Sequence, residues 1–598
     1  MTSLPLRTES SSGSHFPIVL GLSLIGLHAA LAFLTPLSTP AGWRFWAPQA
    51  ARYLDPWAPA LLYGAAGAIA VVSGLALART RGPAATLAPT TQVLLTLIPV
   101  ALLWVVRAKY SFLGDNLLRV QQALAGQSSS HDAGVMALYH HALRLLGATD
   151  LGSGRQVFVG VSVASGALYA WSALNLAILL ETLRTDGGSS RRAIWIYLAI
   201  LAGGSSLLFA GYVEVYPPVV ALLMVATWLA IRALHRCEFP WMAAILLLGA
   251  IALHRVAALW IPLVLYSAAR SRTAPRAHLF SAVLSLATFL ACVFLAGRIG
   301  LLLPIWPTPE RPYAWLSIPH LSDFINAQAL GSIAALVLAP IAAVRFWRGL
   351  ADRARNDAPH GVPIEIAAAL LLAWLPPTIA LCFFRPILGA TDWDLLALSA
   401  PFGLVFAAGT LEFGRFARSL VIVTALQTSL WLASLASDAS IAQIRDLVEN
   451  DRADYYKSHA APLHLSFVYA SNGLRDAQRE ELERGAALYP KDGRYATNLA
   501  VLAREERNWA EAERQAIRAH DTGTASVLVL DVLFDTFQAQ NRREDQFLVG
   551  EAILAQHQRD ARSVEAYLSA RRLGSLRQQV EAMRATSGGR LDTLKTAP

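Results

Sequence analysis

The sequence predicts an all-α protein: a polytopic bundle of transmembrane helices followed by a soluble array of paired helices. Three observations carry that expectation. The 598 residues are 55% hydrophobic and 15% charged, with a mean hydropathy of +0.43, whereas an average soluble domain carries roughly 25% charged residues. Up to residue 437 the apolar residues fall in runs broken by short basic loops, and each run is close to the roughly 20 residues that cross a bilayer as a helix. From about residue 440 the chain turns charged and polar, with a helical pattern that resembles stacked repeats.

The elements follow in chain order. Residues 1–16 are polar and Ser-rich and are expected to be a disordered cytoplasmic N-terminus. The run 17–36 carries a cleavage-like Ala30-Leu31-Ala32, but one Arg against one Glu before it makes a poor signal peptide, so it reads as an uncleaved first span. Further spans are expected at 58–78, 88–106, 156–181, 193–210, 214–233, 278–303, 323–344, 365–384, 395–413 and 418–437. Trp241–Tyr266 is interrupted by His254-Arg255 and is either one long span or a hairpin of two short limbs. Positive charge decides between them. With the N-terminus cytoplasmic, Arg79, Arg81, Arg184, Arg191, Arg192, Arg232 and Arg236 fall inside. Arg270, Arg272, Arg276, Arg345, Arg348, Arg353, Arg355, Arg415 and Arg418 join them only if 241–266 enters and returns. The hairpin gives about 12–13 membrane segments within 17–437. It places His254-Arg255 on the outer face and the domain 440–598 outside. The basic inner loops account for most of the net charge of +9, so nothing points to nucleic acid. Cys237, Cys292 and Cys382 have no disulfide or metal-ligand spacing and read as small apolar residues.

Polar residues then collect on the outer face. The long loop 107–155 holds Gly114-Asp115-Asn116 and two amphipathic stretches, 116–125 and 134–146, expected to lie in the membrane interface. Glu214 sits inside the tight apolar turn Gly211-Tyr212-Val213-Glu214-Val215-Tyr216. His254-Arg255, Glu310-Arg311 in the Pro-rich loop 304–322, and Arg385 with Asp392-Trp393-Asp394 complete the set. Ionisable groups beside spans are costly and face a cavity or a partner. Carboxylates to handle protons and cations to hold an anion would thus share one polar cavity. Ordinary roles compete at each position. Asp115 also fits a helix N-cap, and Glu214, Asp392 and Asp394 also fit helix starts. Arg311 and Arg385 also fit headgroup anchors, His254 a bundle histidine, and His140 and His141 plain interface positions.

In the tail, Asn498-Leu499-Ala500 followed by Arg507-Asn508-Trp509-Ala510-Glu511-Ala512 resembles the tetratricopeptide consensus. A 34-residue step places turns at Gly473 (507 − 34) and Asn541 (507 + 34), both in turn-like sequence. Stacked helix pairs expose a concave groove, which would hold a polypeptide or partner protein; a structural cap over the outer cavity fits equally.

The whole resembles the GT-C superfamily of membrane glycosyltransferases. Gly114-Asp115-Asn116, Tyr212-Val213-Glu214-Val215-Tyr216 and Thr391-Asp392-Trp393-Asp394-Leu395 are similar to fragments in bacterial members, over roughly residues 88–437. The repeat tail is similar in layout to the transmembrane-and-TPR O-mannosyltransferases. Two features depart from the family: more than one span precedes the acidic loop, and its usual acidic pair is here a lone Asp115, with Asp132 further on. The resemblance implies a catalytic domain at 17–437 that moves a sugar from a polyprenyl-phosphate donor to a glycan, lipid or protein acceptor on the extracytoplasmic side. The bacterial inner membrane is the expected location, with a periplasmic tail. Asp115 would be the general base, with Glu214 second in the catalytic set. His254, Arg255, Arg311 and Arg385 would hold the lipid phosphate. Glu214 or the Asp392/Asp394 pair would orient the sugar or ligate a divalent ion such as Mg or Mn, and the residues leave open whether a metal is used. A transporter or lipid flippase, or a non-catalytic scaffold whose repeats bind an envelope protein, are the competing readings; neither needs polar residues gathered at one face.

Overall fold

A computed structural model of the chain describes residues 16–35, 45–76, 87–109, 117–127, 132–184, 189–271, 317–353, 362–384, 392–411, 415–449, 461–523, 526–565, 568 and 570–586. The expected span 278–303 lies outside them. Every regular element among them is helical, and they divide into two compact units, Met1–Asp454 and Tyr455–Pro598.

The first unit contains α1 (Phe16–Leu34), α2 (Trp57–Ala76), α3 (Pro89–Val105), α4 (Leu117–Leu124), α5 (Ala133–Leu145), α6 (Leu151–Thr182), α7 (Ser190–Ala202) and α8 (Tyr216–Arg236). Then come α9 (Trp241–Leu253), α10 (Ile261–Ala269), α11 (Ile318–Arg353), α12 (Ile364–Phe383), α13 (Trp393–Leu396), α14 (Ala400–Thr410), α15 (Arg415–Leu435) and α16 (Ala439–Glu449). Six stretches among the described residues are long and apolar enough to cross a membrane: α6, α8, Ile318–Leu350 of α11, α12, Trp393–Thr410 across α13 and α14, and Phe416–Leu435 of α15. The chain is an integral membrane protein. Shorter apolar helices, α1, α2, α3, α9 and the α10 limb, pack with them.

Local chemistry sets the ends. Asp150 and Ser153 form a reciprocal capping box at the start of α6. Pro217 and Pro218 open α8, where a missing N–H costs nothing. At the opposite end of α6, the Glu181 carboxylate takes the Arg192 guanidinium at 2.9 Å, and Arg184 donates to the Leu411 carbonyl at 3.2 Å. This ties together the ends of α6, α7 and α14. The 241–266 stretch turns at His254, whose ring lies 5.1 Å from Tyr216 at the start of α8. It continues through a 3-10 segment, Arg255–Trp260, until Trp260 meets Phe402 at 5.0 Å.

Three spans are interrupted, and the interruptions meet. The run expected to span at 193–210 ends as an α-helix at Ala202 and continues as a 3-10 segment, Gly204–Phe209. Helix α11 is broken at Ser332, whose backbone is extended. The chain between α13 and α14 breaks at 397–399. A Cβ on Gly204 would stand 1.9 Å from the Leu330 carbonyl oxygen, and one on Gly331 would stand 2.7 Å from the Ala400 Cβ, so only glycine permits these approaches. An unmet buried carbonyl costs about 1–3 kcal/mol, so breaks in an apolar bundle need donors.

The second unit is a row of helical hairpins: α17 (Ala461–Ser471) with α18 (Arg475–Leu488), α19 (Gly493–Glu505) with α20 (Trp509–Asp521), and α21 (Val527–Ala539) with α22 (Arg543–Arg559). Short α23 (Ala561–Glu565) and α24 (Ala570–Thr586) follow. Each hairpin turns on a residue with positive φ, at Gly473, Arg507 and Asn541, and these are 34 residues apart (507 − 473 and 541 − 507). An alanine stripe, Ala496, Ala500, Ala503, Ala512, Ala516 and Ala519, packs with Val529 and Val532. Asp531 of α21 takes Arg504 of α19 and Arg572 of α24, each at 2.8 Å.

Candidate functional site

Of the residues singled out from sequence, Asp115, Arg311 and Arg385 lie outside the described residues, as do Gly114, Asn116 and Glu310. Glu214, His254, Arg255, Asp392 and Asp394 are described, and the fold gathers them at one end of the bundle.

The roof is the α4–α5 pair. Its apolar faces, with Val120, Ala123, Val135, Met136 and Leu143, pack against Val157 and Phe158 of α6 and against Val213 and Val215. Helix α5 comes so close to the end of α9 that a Cβ on Gly134 would meet the Ala252 carbonyl oxygen at 1.9 Å. Arg119 of α4 and Asp132, just before α5, form an ion pair at 2.6 Å with their side chains 10% and 0% exposed. Tyr139 stacks on Phe158 at 3.6 Å, nearly coplanar, and donates its hydroxyl to the Glu214 carbonyl at 3.0 Å. Burial pushes the Tyr139 phenol up, so it stays a donor.

Beneath the roof runs the 204–215 segment. Ala108 donates its N–H to the Ala210 carbonyl at 2.8 Å, which hooks the start of the long loop onto it. Gly211 follows with φ +74°, a conformation that suits glycine. Glu214 is 2% exposed, and one carboxylate oxygen accepts the Val215 N–H at 3.1 Å. Asp394, 1% exposed, likewise accepts the N–H of Leu395 at 2.9 Å. Trp393 packs on Tyr212 with ring centroids 5.9 Å apart. Tyr216 lies within coulombic reach of Asp394, Glu214, Asp392 and Arg119. Burial, followed by the charges of Asp394 and Glu214, pushes the Tyr212 phenol well above its ordinary value. His254 accepts the Val256 N–H on Nδ1 at 3.2 Å. Arg255 is partly buried, and its Nη1 has no hydrogen-bond partner among the described residues.

The site therefore holds carboxylates, two protonated phenols, an imidazole and a guanidinium. Among the described residues no three His, Cys, Asp or Glu side chains group to hold a metal ion.

A second polar group was not singled out from sequence. His320, Asp323 and Asn326 lie buried in the first two turns of α11. His320 Nε2 bonds to the Phe384 carbonyl at 2.8 Å, Asp323 accepts from the Trp46 indole at 3.0 Å, and Asn326 accepts the Ala47 N–H at 3.0 Å. Their spacing of three residues is the available signal, hidden because 304–322 reads as a Pro-rich loop. Tyr139, Tyr212 and Tyr216 were also passed over as site members, since a tyrosine in an apolar run resembles core.

The sequence matches no protein-family model, and no curated protein matches it. Among solved structures, the crystal structure of ArnT from Cupriavidus metallidurans bound to undecaprenyl phosphate is similar to this chain. It has 14% identity and a TM-score of 0.36, with 68% of this chain and 81% of that chain covered. A likeness that loose carries no weight for the chemistry, which stands on this chain's own residues.

Proposed function

We propose that the chain is a membrane glycosyltransferase of the GT-C kind, moving a sugar from a polyprenyl-phosphate donor to an acceptor hydroxyl at the end of the bundle roofed by α4 and α5. One observation carries the reading. Glu214, Asp392, Asp394, Tyr212, Tyr216 and His254 converge at one end of an apolar bundle, under the loop whose first residues lead to Asp115. Ionisable groups held at that cost in a membrane protein are functional by default.

In this reading the acceptor oxygen attacks the anomeric carbon, and its proton passes to the Asp115 carboxylate. The bond from the anomeric carbon to the phosphate oxygen breaks, and its electron pair leaves with the lipid phosphate. Arg255, with Arg311 and Arg385, holds that phosphate charge. Glu214, Asp392 and Asp394 accept hydrogen bonds from sugar hydroxyls, and the Tyr212 phenol donates one. The site faces the extracytoplasmic side of a bacterial inner membrane. The 34-residue hairpins of the second unit are tetratricopeptide-like and hold the acceptor or a protein partner in their groove.

The broken spans favour a second reading, a transporter, because carriers bind substrate at interrupted helices near the midplane. The carboxylates and phenols that converge on Tyr212 gather with the α4–α5 roof, which favours the enzyme. The test is transfer of labelled sugar from polyprenyl-phosphate-sugar in proteoliposomes, comparing wild type with Glu214→Gln and Asp394→Asn. The reading expects transfer by wild type and loss in both variants. Counterflow of the donor lipid without transfer would replace it by the transporter.

A further inference from the structure

One face of α15 serves the interruptions of α7 and α11. Thr424, Gln427, Thr428 and Trp431 stand at i, i+3, i+4 and i+7, so they line a single stripe. Thr428 donates its hydroxyl to the Ala202 carbonyl at 2.7 Å, where α7 stops. Gln427 donates to the Ala329 carbonyl at 2.8 Å, on the last turn before the α11 break. Thr424 accepts the Ala334 N–H at 3.0 Å, just after that break, while passing its own proton to the Leu420 carbonyl at 2.8 Å. Trp431 donates to the Ala47 carbonyl at 2.7 Å, in the 3-10 segment that enters the bundle before α2. Gln328 of α11 completes the set, donating to the Leu396 carbonyl at 2.6 Å and to Ser399 at 3.1 Å across the third break.

Two of the breaks lead to the site: the 204–215 segment carries Tyr212 and Glu214, and the turn of α13 before the third break carries Trp393 and Asp394. An apolar helix in place of α15 would leave the freed carbonyls unmet, and the spans would close into straight helices that turn these side chains elsewhere.

We propose that Thr424, Gln427 and Thr428 of α15, together with Gln328 of α11, are positioning residues, holding three helix breaks open so that Glu214 and Asp394 converge on Tyr212. The inference rests on the transferase reading for its kinetic consequence but not for its structural one, and two readouts keep them apart. The first is hydrogen exchange in nanodiscs for wild type, Thr428→Val, Thr428→Ser and Gln427→Leu. Thr428→Val keeps the shape and removes the donor; Thr428→Ser keeps the donor. The proposal expects faster exchange confined to 203–216 and 329–336 in Thr428→Val and Gln427→Leu, protection of α6 and α8 unchanged, and restoration in Thr428→Ser. Exchange that rises evenly over all spans, or not at all, overturns it. The second readout is transfer kinetics per folded molecule. A displaced constellation should lower kcat by roughly 10- to 100-fold with KM for the lipid donor little changed. Full kcat in both donor-lacking variants also overturns the proposal. If wild type transfers nothing, the transferase reading falls and the exchange pattern alone decides the positioning role. If Thr428→Val does not fold, Gln427→Leu carries both readouts.

Discussion

Removing Asp132 should do more damage than removing both Asp132 and Arg119. The pair is 2.6 Å apart, with Asp132 fully buried and Arg119 nearly so. Asp132→Ala leaves a guanidinium inside the α4–α5 roof without the carboxylate it meets at 2.6 Å, while its bond to the Gln122 amide oxygen at 3.2 Å remains. Breaking a buried pair from one side typically costs about 3–5 kcal/mol, whereas replacing both ends by apolar groups of similar size is about neutral. The roof opens locally, so the cost appears in the exchange of α4 and α5 amides and not in global unfolding. At about 1.4 kcal/mol per tenfold, the expected acceleration is on the order of 10²–10³-fold for Asp132→Ala. Arg119→Met with Asp132→Leu should return exchange to within about tenfold of wild type. Acceleration below about tenfold in the single variant, or a double variant worse than the single, would refute a buried, mutually dependent pair.

Gly204→Ala should fail to accumulate in membranes, because its Cβ would stand 1.9 Å from the Leu330 carbonyl oxygen and neither backbone can yield; normal yield of a folded variant would contradict the packing. Tyr139→Phe removes the hydroxyl from the buried Glu214 carbonyl while keeping the stack on Phe158, so a loss of about 1–3 kcal/mol is expected, read as faster exchange at 212–216. In the second unit, partial burial works to raise the Glu513 carboxyl, but hydrogen bonds from Gln540 and Arg542 hold it below the ordinary carboxylate range. A depressed folded value means stabilisation is present above the unfolded pKa of about 4.3 and is lost as pH falls through the folded value. Thermal melts of the full chain should show Glu513→Gln less stable than wild type at pH 7, with the gap closing as the Glu513 carboxylate of wild type is protonated at low pH; a constant gap at all pH would contradict the linkage.

Much of the fold is legible in the residues because membrane helices announce themselves by length. The same holds for α4 and α5, where Leu117, Leu124, Met136 and Leu143 repeat at helical spacing among Gln, His and Arg. The hairpin turns are legible from a single good repeat unit, since a 34-residue step from Arg507 reaches Gly473 and Asn541, both in the left-handed region. The helix breaks are not. Gly203-Gly204 and Gly331-Ser332 sit in runs apolar enough to read as continuous spans, and what opens them is a stripe on α15, more than 90 residues away in sequence from either. The site is half legible for the same reason. Glu214, Asp394 and His254 stand out as charges in apolar sequence, but Asp132 looks like a loop residue until its pairing with Arg119 is seen, and His320 with Asp323 hides at a helix start beside prolines.

The central claim is that the cluster at the roofed end performs sugar transfer with a loop aspartate as base. Its most direct test is single-turnover transfer from radiolabelled polyprenyl-phosphate-sugar by purified protein in proteoliposomes, wild type against Asp115→Asn at equal folded amount. The account predicts transfer by wild type and a loss of about 10²–10⁴-fold in the variant, with donor binding retained. Transfer by Asp115→Asn at the wild-type rate would contradict the base assignment, and absence of transfer by wild type across donors and acceptors would contradict the claim itself.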